Sequence, residues 1–332
     1  MAHIASYGAY LPKYRATLGE IQAFEGRPGR PRSKTLATPA LDEDTLTMAW
    51  EAASQAIAGR PSPAAVITLT HSAPTGFRKM SQTLVRALES IDDPEAVSCY
   101  DLSGHPGSLI DAFELASALV DAGKGDVLVV VADYVVAYDD KVLDMLSAGG
   151  AAAFVISSAG FATLGPVARD GREVFDVWRL GTEPTARYRM EVLFDSYNAA
   201  AKGAIGKLAK LTGRDSGKYV KAAVSQPHPQ TVRGLGKLGI SDSALADTVF
   251  VAEIGNLGVA ALGISLALAL DGAAKGKAVL AFGYGAGEGI AQEIVLTAAS
   301  PKCKIAEAMA TTESISLGTY YRWTRGRQQE PH

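Results

Sequence analysis

The chain contains five histidines, and three of them stand where a loop follows a run of strand-forming residues. His71 opens His71-Ser-Ala-Pro74 after the run Ala65–Thr70. His105 lies in the polar turn of Cys99-Tyr-Asp-Leu-Ser-Gly-His-Pro-Gly-Ser-Leu109, and His228 lies in Gln226-Pro-His-Pro229 after Tyr219–Ser225. His3 and His332 are terminal. An imidazole with a pKa near 6.5 exchanges protons at neutral pH, so the three loop histidines are acid/base candidates. For each one alone, a solvent-facing loop histidine is the plainer reading. Three imidazoles could also hold zinc, but no spacing signature supports a metal site, and none is expected.

The elements that must position these loops are readable from apolar pattern. The Cys99–Leu109 stretch reads as a buried strand, a tight turn and an apolar-periodic helix (Leu109, Ala112, Phe113, Leu115, Ala116, Leu119) to about Ala122. Such a junction presents side chains and helix N–H groups at a sheet edge, where sites often form. Asp126–Ala132 and Ala151–Ile156 are continuous apolar runs that suit strands covered on both faces. Asp42-Glu-Asp-Thr45 supplies a cap and an acidic first turn for a helix through Ile57. Ile4–Leu11 reads as the first strand, and a helix is predicted over about Met80–Leu88. The second half repeats the alternation. Met190–Leu211 is helical, Tyr219–Ser225 a strand, and a helix runs to about Leu238. Val249–Ile254 reads as a strand, Asn256–Leu270 as an apolar helix, and Ala278–Phe282 and Ile290–Leu296 as strands. Two α/β halves without a disordered linker predict a duplicated architecture, with halves 1–165 and 166–332.

Composition excludes several classes. The 332 residues are 48% apolar and 20% charged, ordinary for a globular protein. A net charge of −3 gives no basic surface for nucleic acid. The longest apolar run, Leu257–Leu270, is glycine-broken and too short to span a bilayer, so no membrane segment is expected. The first residues show no charged region leading into an apolar one, hence no visible secretory signal. Two cysteines, Cys99 and Cys303, exclude a disulfide scaffold and fit a cytoplasmic chain. Gly26-Arg-Pro-Gly-Arg-Pro-Arg-Ser-Lys34 is a basic, proline-broken loop that could touch a phosphate, though a solvated loop explains it better. Gly283-Tyr-Gly-Ala-Gly-Glu-Gly289 follows a strand, but a strand-like run follows it, so no helix N-terminus receives a phosphate there.

Several stretches together resemble the hydroxymethylglutaryl-CoA synthases, especially their archaeal-type branch. They are Ser6-Tyr-Gly-Ala-Tyr-Leu-Pro-Lys-Tyr-Arg15, Asp42–Ala53, Ser147-Ala-Gly-Gly-Ala-Ala-Ala-Phe154, Ile254-Gly-Asn-Leu-Gly-Val-Ala260, Phe282-Gly-Tyr-Gly-Ala-Gly287 and Tyr320-Tyr-Arg-Trp-Thr-Arg325. The resemblance implies the thiolase-like five-layered αβαβα fold with two pseudo-repeated halves, usually a tight dimer. It also implies Claisen-type chemistry on acyl thioesters, in which a cysteine takes the acyl group, a glutamate or histidine moves protons, and a histidine and an asparagine stabilise charge. The glycine-rich stretch then becomes a turn lining the active site.

Carried over position by position, this set is dismantled. The nucleophile's place falls on Pro106, or on His105 if the turn has shifted, and neither forms a thioester. His71 stands where the general-base glutamate belongs. The family's histidine falls on Ser225, with His228 three residues later, and only the asparagine matches cleanly, as Asn256. Cys99 reads as a small buried apolar residue, and Cys303 lies outside every motif. The fold would nevertheless bring the loops of His71, His105 and His228 to one site.

Two expectations follow from the resemblance. One is a synthase-like subunit of an acyltransferase assembly, homodimeric or joined to a thiolase and a zinc-ribbon/OB-fold protein, with an acyl-CoA or acyl-carrier thioester as its ligand and no cofactor. The other is a cysteine-independent enzyme of carbon–carbon bond cleavage or formation (decarboxylase, aldolase or retro-Claisen type). It would use His71, His105 and His228 as acids and bases and Asn256 on an enolate oxygen. Nothing in the chain favours a third class, a ligand-binding sensor.

Overall fold

The computed structural model describes residues 1–27, 29–134, 146–178, 187–303 and 305–329. Pro28 of the basic loop and His332 lie outside the described residues. The first half contributes β1 (His3–Tyr10), α1 (Thr45–Ile57), β2 (Ala65–Leu69), α2 (Met80–Ala87), β3 (Ser98–Leu102), α3 (Ser108–Asp121), β4 (Val127–Tyr134) and β5 (Gly149–Ser157). The second contributes β6 (Ala162–Gly171), α4 (Met190–Thr212), β7 (Lys221–Val224), α5 (Pro229–Arg233), α6 (Val251–Ile254), α7 (Ala260–Gly272), β8 (Ala278–Gly285) and β9 (Glu288–Leu296).

The strands lie in the order β7-β8-β9-β6-β1-β5-β4-β2-β3. β1 joins the halves: it pairs along β5, and at its start His3 and Ile4 meet Thr163 and Ala162 of β6. The halves repeat each other. In the first, β2 lies parallel to β4, β5 is antiparallel to β4, and β1 flanks β5. In the second, β7, β8, β9 and β6 occupy the same places with the same directions. Residue 165, the expected division, falls inside β6.

Five layers follow from what packs where. α1 and α2 cover the outer face of the first sheet, and α4 covers the outer face of the second. α3 and α7 lie between, each touching strands of both halves. α7 is apolar on all sides and is buried from Ala260 to Leu270, as a central-layer helix must be. α1 shows why the sequence starts a helix where it does. The Asp44 side chain accepts from Thr47 N–H, and the Thr47 hydroxyl accepts from Asp44 N–H.

Three expectations change. Val249–Ile254 is not a strand but ends in the single turn α6, leaving β3 without a counterpart among the described residues. The buried Gln226 side chain accepts from Phe250 N–H and Val251 N–H and donates to the Thr248 carbonyl. It thereby occupies the backbone groups that a strand would offer to β7. The apolar helix begins at Ala260, four residues after Asn256, which bridges to Ser147 instead. β3 is an edge strand with mostly exposed or half-buried side chains, and Cys99 is half-buried on it rather than enclosed.

Candidate functional site

The ends of β2, β8 and the turn before α3 surround a cavity of about 340 Å³. His71, His105, Pro106, Asp176, Asn256 and Tyr284 are on its wall. Two of the three predicted histidines therefore meet at one site, and His228 does not line it.

His105 is held at both ring nitrogens. Its Nδ1 accepts from Gly107 N–H at 3.1 Å, which fixes the turn leading into α3. Nε2 then carries the proton and faces Glu288 Oε2 of β9 at 3.3 Å. Neither nitrogen keeps a free lone pair, so this imidazole is a positioned wall rather than a base. Glycines of β8 make room for the turn. A Cβ at Gly283 would stand 2.3 Å from Gly107 Cα, and one at Gly285 would stand 2.1 Å from His105 Cβ. Pro106, at the place implied for the nucleophile, lines the cavity and closes the turn. The Gly283–Gly289 stretch is a β-hairpin between β8 and β9, with Ala286 and Gly287 at φ 50° and 84°. Gly285 and Ala286 line the cavity.

His71 is arranged differently. Its Nδ1 lies 3.7 Å from Oδ2 of Asp133, near the end of β4. Asp133 is fully buried and accepts from the Ser72 hydroxyl and, at 3.1 Å, from Val259 N–H. A carboxylate on the Nδ1 side favours the tautomer protonated there and leaves the Nε2 lone pair available. Nε2 has no hydrogen-bond partner among the described residues, and the side chain is 45% exposed at the cavity. At 3.7 Å the two groups are too far apart for a hydrogen bond, so Asp133 acts on His71 through its charge.

His228 is wholly buried. Its Nδ1 caps α5 by accepting from Gln230 N–H at 3.1 Å, and Pro229 takes the first helical position. Nε2 has no partner, and the ring packs 5.0 Å from that of Phe194. Burial, with Arg32 and Arg233 nearby, pushes its pKa down to about 4, so it is neutral at physiological pH. Ser225 is also buried away from the cavity, its hydroxyl oxygen accepting from Tyr284 N–H at 3.1 Å. Asn256 lines the cavity, but its amide is engaged. Oδ1 accepts from Gly258 N–H at 2.9 Å, and Nδ2 points to the Pro227 carbonyl at 3.4 Å.

Sequence reasoning missed Tyr284, Asp176 and Glu288. Tyr284 lies inside the glycine-rich stretch, and alternation from Leu280 and Phe282 places it on their face of β8. Asp176 and Glu288 carried no pattern. The Tyr284 hydroxyl donates to Asp176 Oδ2 at 2.6 Å, both residues being buried, and burial with that acceptor raises the Tyr284 pKa. Neither cysteine reaches the site. Cys99 is on β3, its thiol pKa raised by burial, and burial beside Asp271 pushes Cys303 up to about 12. Among the described residues, no group of three or more His, Cys, Asp or Glu side chains could hold a metal ion. No helix there is long and apolar enough to cross a membrane.

No protein-family model matches the chain. A hydroxymethylglutaryl-CoA synthase of Aeropyrum pernix is 30% identical over 322 residues, 91% of this chain and 87% of that protein. Its counterpart in Methanocaldococcus jannaschii is 27% identical over 306 residues, 87% of each chain. Among solved structures, MvaS in complex with 3-hydroxy-3-methylglutaryl coenzyme A superposes with a TM-score of 0.84 at 17% identity, covering 99% of this chain and 92% of that one. The curacin pathway HMG synthase in complex with acetyl donor-ACP gives 0.84 at 19%, covering 98% and 89%. The priming β-ketosynthase of the R1128 polyketide pathway gives 0.78 at 19%, covering 91% and 97%. These likenesses show the thiolase-like fold.

Proposed function

The chain belongs to the hydroxymethylglutaryl-CoA synthase family, and from that membership we propose that it is a synthase-like subunit of an acyltransferase assembly. In this reading it binds acyl thioesters and never carries the acyl group covalently. What supports it is the cavity wall, where His105 and Pro106 stand in the turn that the resemblance implies for the nucleophile while Cys99 and Cys303 lie elsewhere. A thioester intermediate needs a thiolate within bonding reach of the acyl carbon, and a thiol pushed up to about 12 is protonated at neutral pH. The cavity is large enough for a small acyl group with the end of its pantetheine arm. CoA or a carrier protein would deliver it. The second is supported by the carrier-bound state of one structural neighbour.

The partners follow from the same reading. β3 leaves one edge of the sheet unpaired, with Tyr100 exposed on it, and a second copy would continue the sheet there. A thiolase would supply the missing cysteine, and a zinc-ribbon/OB-fold protein would complete the assembly. The two free cysteines suit a cytoplasmic setting, and no role with nucleic acid or membrane is proposed. The test is native co-purification followed by intact-mass analysis after incubation with acetyl-CoA. A thiolase that travels with this chain and alone gains the acetyl mass is expected; an acetyl adduct on this chain would overturn the reading.

His71 supports a second reading, in which the subunit also performs proton transfer at the α-carbon of the bound thioester. Its free Nε2 at the cavity, with Asp133 behind Nδ1, is what that step requires. His71→Ala in the purified complex separates the two, because a purely structural subunit would keep full activity.

A further inference from the structure

The polar groups around the cavity are unbalanced in sign. Asp176 and Tyr284 form one end of it, joined by their 2.6 Å hydrogen bond. Asp176 is 1% exposed, and its other oxygen accepts from Val177 N–H at 2.6 Å. The Ser196 hydroxyl of α4 backs the tyrosine oxygen. Two further carboxylates stand directly behind the wall, Asp133 at His71 and Glu288 at His105. No lysine or arginine lines this cavity among the described residues. A carboxylate on the ligand would therefore meet buried carboxylates with no lysine or arginine among the described lining residues to pair it, which is costly in a desolvated site. Each Asp176 oxygen accepts one hydrogen bond among the described residues, so a ligand hydroxyl or amide N–H has an acceptor at the cavity wall.

We propose that Asp176 and Tyr284 make this cavity selective for acyl thioesters whose acyl group is uncharged and carries a hydrogen-bond donor, and set it against carboxylate-bearing acyl groups. Asp176 accepts from the donor, and Tyr284, held by Ser196, aims Asp176 and seals it from solvent. The selection acts at the acyl end alone, so it holds whether CoA or a carrier protein presents the thioester. It rests on the acyl-thioester reading above and narrows it to a substrate class. A site that hydrogen-bonds a ligand hydroxyl discriminates against the analogue lacking it more strongly than an apolar pocket discriminates one methylene.

Calorimetric titration of the full chain with three phosphopantetheine thioesters tests this, since that arm is common to CoA and carrier proteins. The probes are butyryl-, 3-hydroxybutyryl- and succinyl-phosphopantetheine. The hydroxyacyl probe is expected to bind about tenfold more tightly than butyryl, and succinyl at least tenfold more weakly. Asp176→Asn should bring succinyl within about threefold of butyryl. Tyr284→Phe should shrink the hydroxyl preference. Equal binding of all three probes by the unsubstituted chain overturns this selectivity and spares the acyl-thioester reading; failure of all three to bind overturns both. The comparison among probes on the unsubstituted protein stands even where a variant fails to fold.

Discussion

The loops after β2 and β7 occupy equivalent places in the two halves, yet they use their histidines in opposite ways. After β2, His71 stands at the cavity with a buried acid on one nitrogen and the other free. After β7, His228 is enclosed, spends Nδ1 on the first turn of α5 and is driven to a pKa of about 4. His105 makes a third case, exposed enough to line the cavity but occupied at both nitrogens. What separates a base from a cap is not the residue type but what the second ring nitrogen already holds.

The comparison breaks or sharpens most at His71. If His71 performs the proposed proton transfer, His71→Ala lowers the activity of the assembled complex by roughly 10²-fold or more, the usual worth of a positioned base, while moving stability by less than about 0.5 kcal/mol. Steady-state rates beside denaturation midpoints check both; a full-rate variant would make this loop as structural as its counterpart.

Next in size is the packing of the His105 turn. Gly283→Ala places a Cβ against the Gly107 backbone, which cannot give way like a side chain, and should destabilise by about 3 kcal/mol. Urea denaturation reads it, and a neutral substitution would mean that the turn is not locked onto β8.

The His228 prediction concerns pH. Its folded pKa lies below the unfolded value near 6.5, so the unfolded chain binds the extra proton as pH falls from about 6.5 to 4. The stability it confers is present above that window and is lost through it, by up to about 3 kcal/mol. His228→Asn keeps a capping side chain and should flatten this part of the stability–pH curve. A curve of unchanged steepness would show that His228 does not titrate with folding.

The smallest effect belongs to the His105–Glu288 pair. Glu288 is partly exposed, and such pairs contribute about 0–1 kcal/mol. Glu288→Gln should therefore alter stability by less than that and activity by less than about threefold. A 10²-fold loss would mark His105 as a working acid after all.

Much of the architecture was legible from local pattern. β4 and β5 read as buried strands because their apolar runs admit no exposed face, and α1 announced itself through Asp44 and Thr47. Val249–Ile254 misled because its β-rich composition is local, whereas the Gln226 side chain that captures its backbone comes from more than twenty residues earlier. β3 looked buried for a similar reason, since strand composition does not say which strand ends at the sheet edge. Of the site, the histidine-bearing loops and Asn256 were nameable in advance. Asp176 and Glu288 were not, because a single acidic residue has no periodicity to betray it.

The sequence by itself determined the duplicated α/β order, the family likeness and the absence of a cysteine from the turn Ser103–Gly107, because these depend on residue identity and on spacing along the chain. Only the tertiary structure decided that His71 and His105 share a cavity with Asp176 and Tyr284 while His228 and Ser225 are buried away from it. Burial, tautomer and charge balance are set by what the fold brings within a few ångströms, and the partners that set them here come from distant parts of the chain.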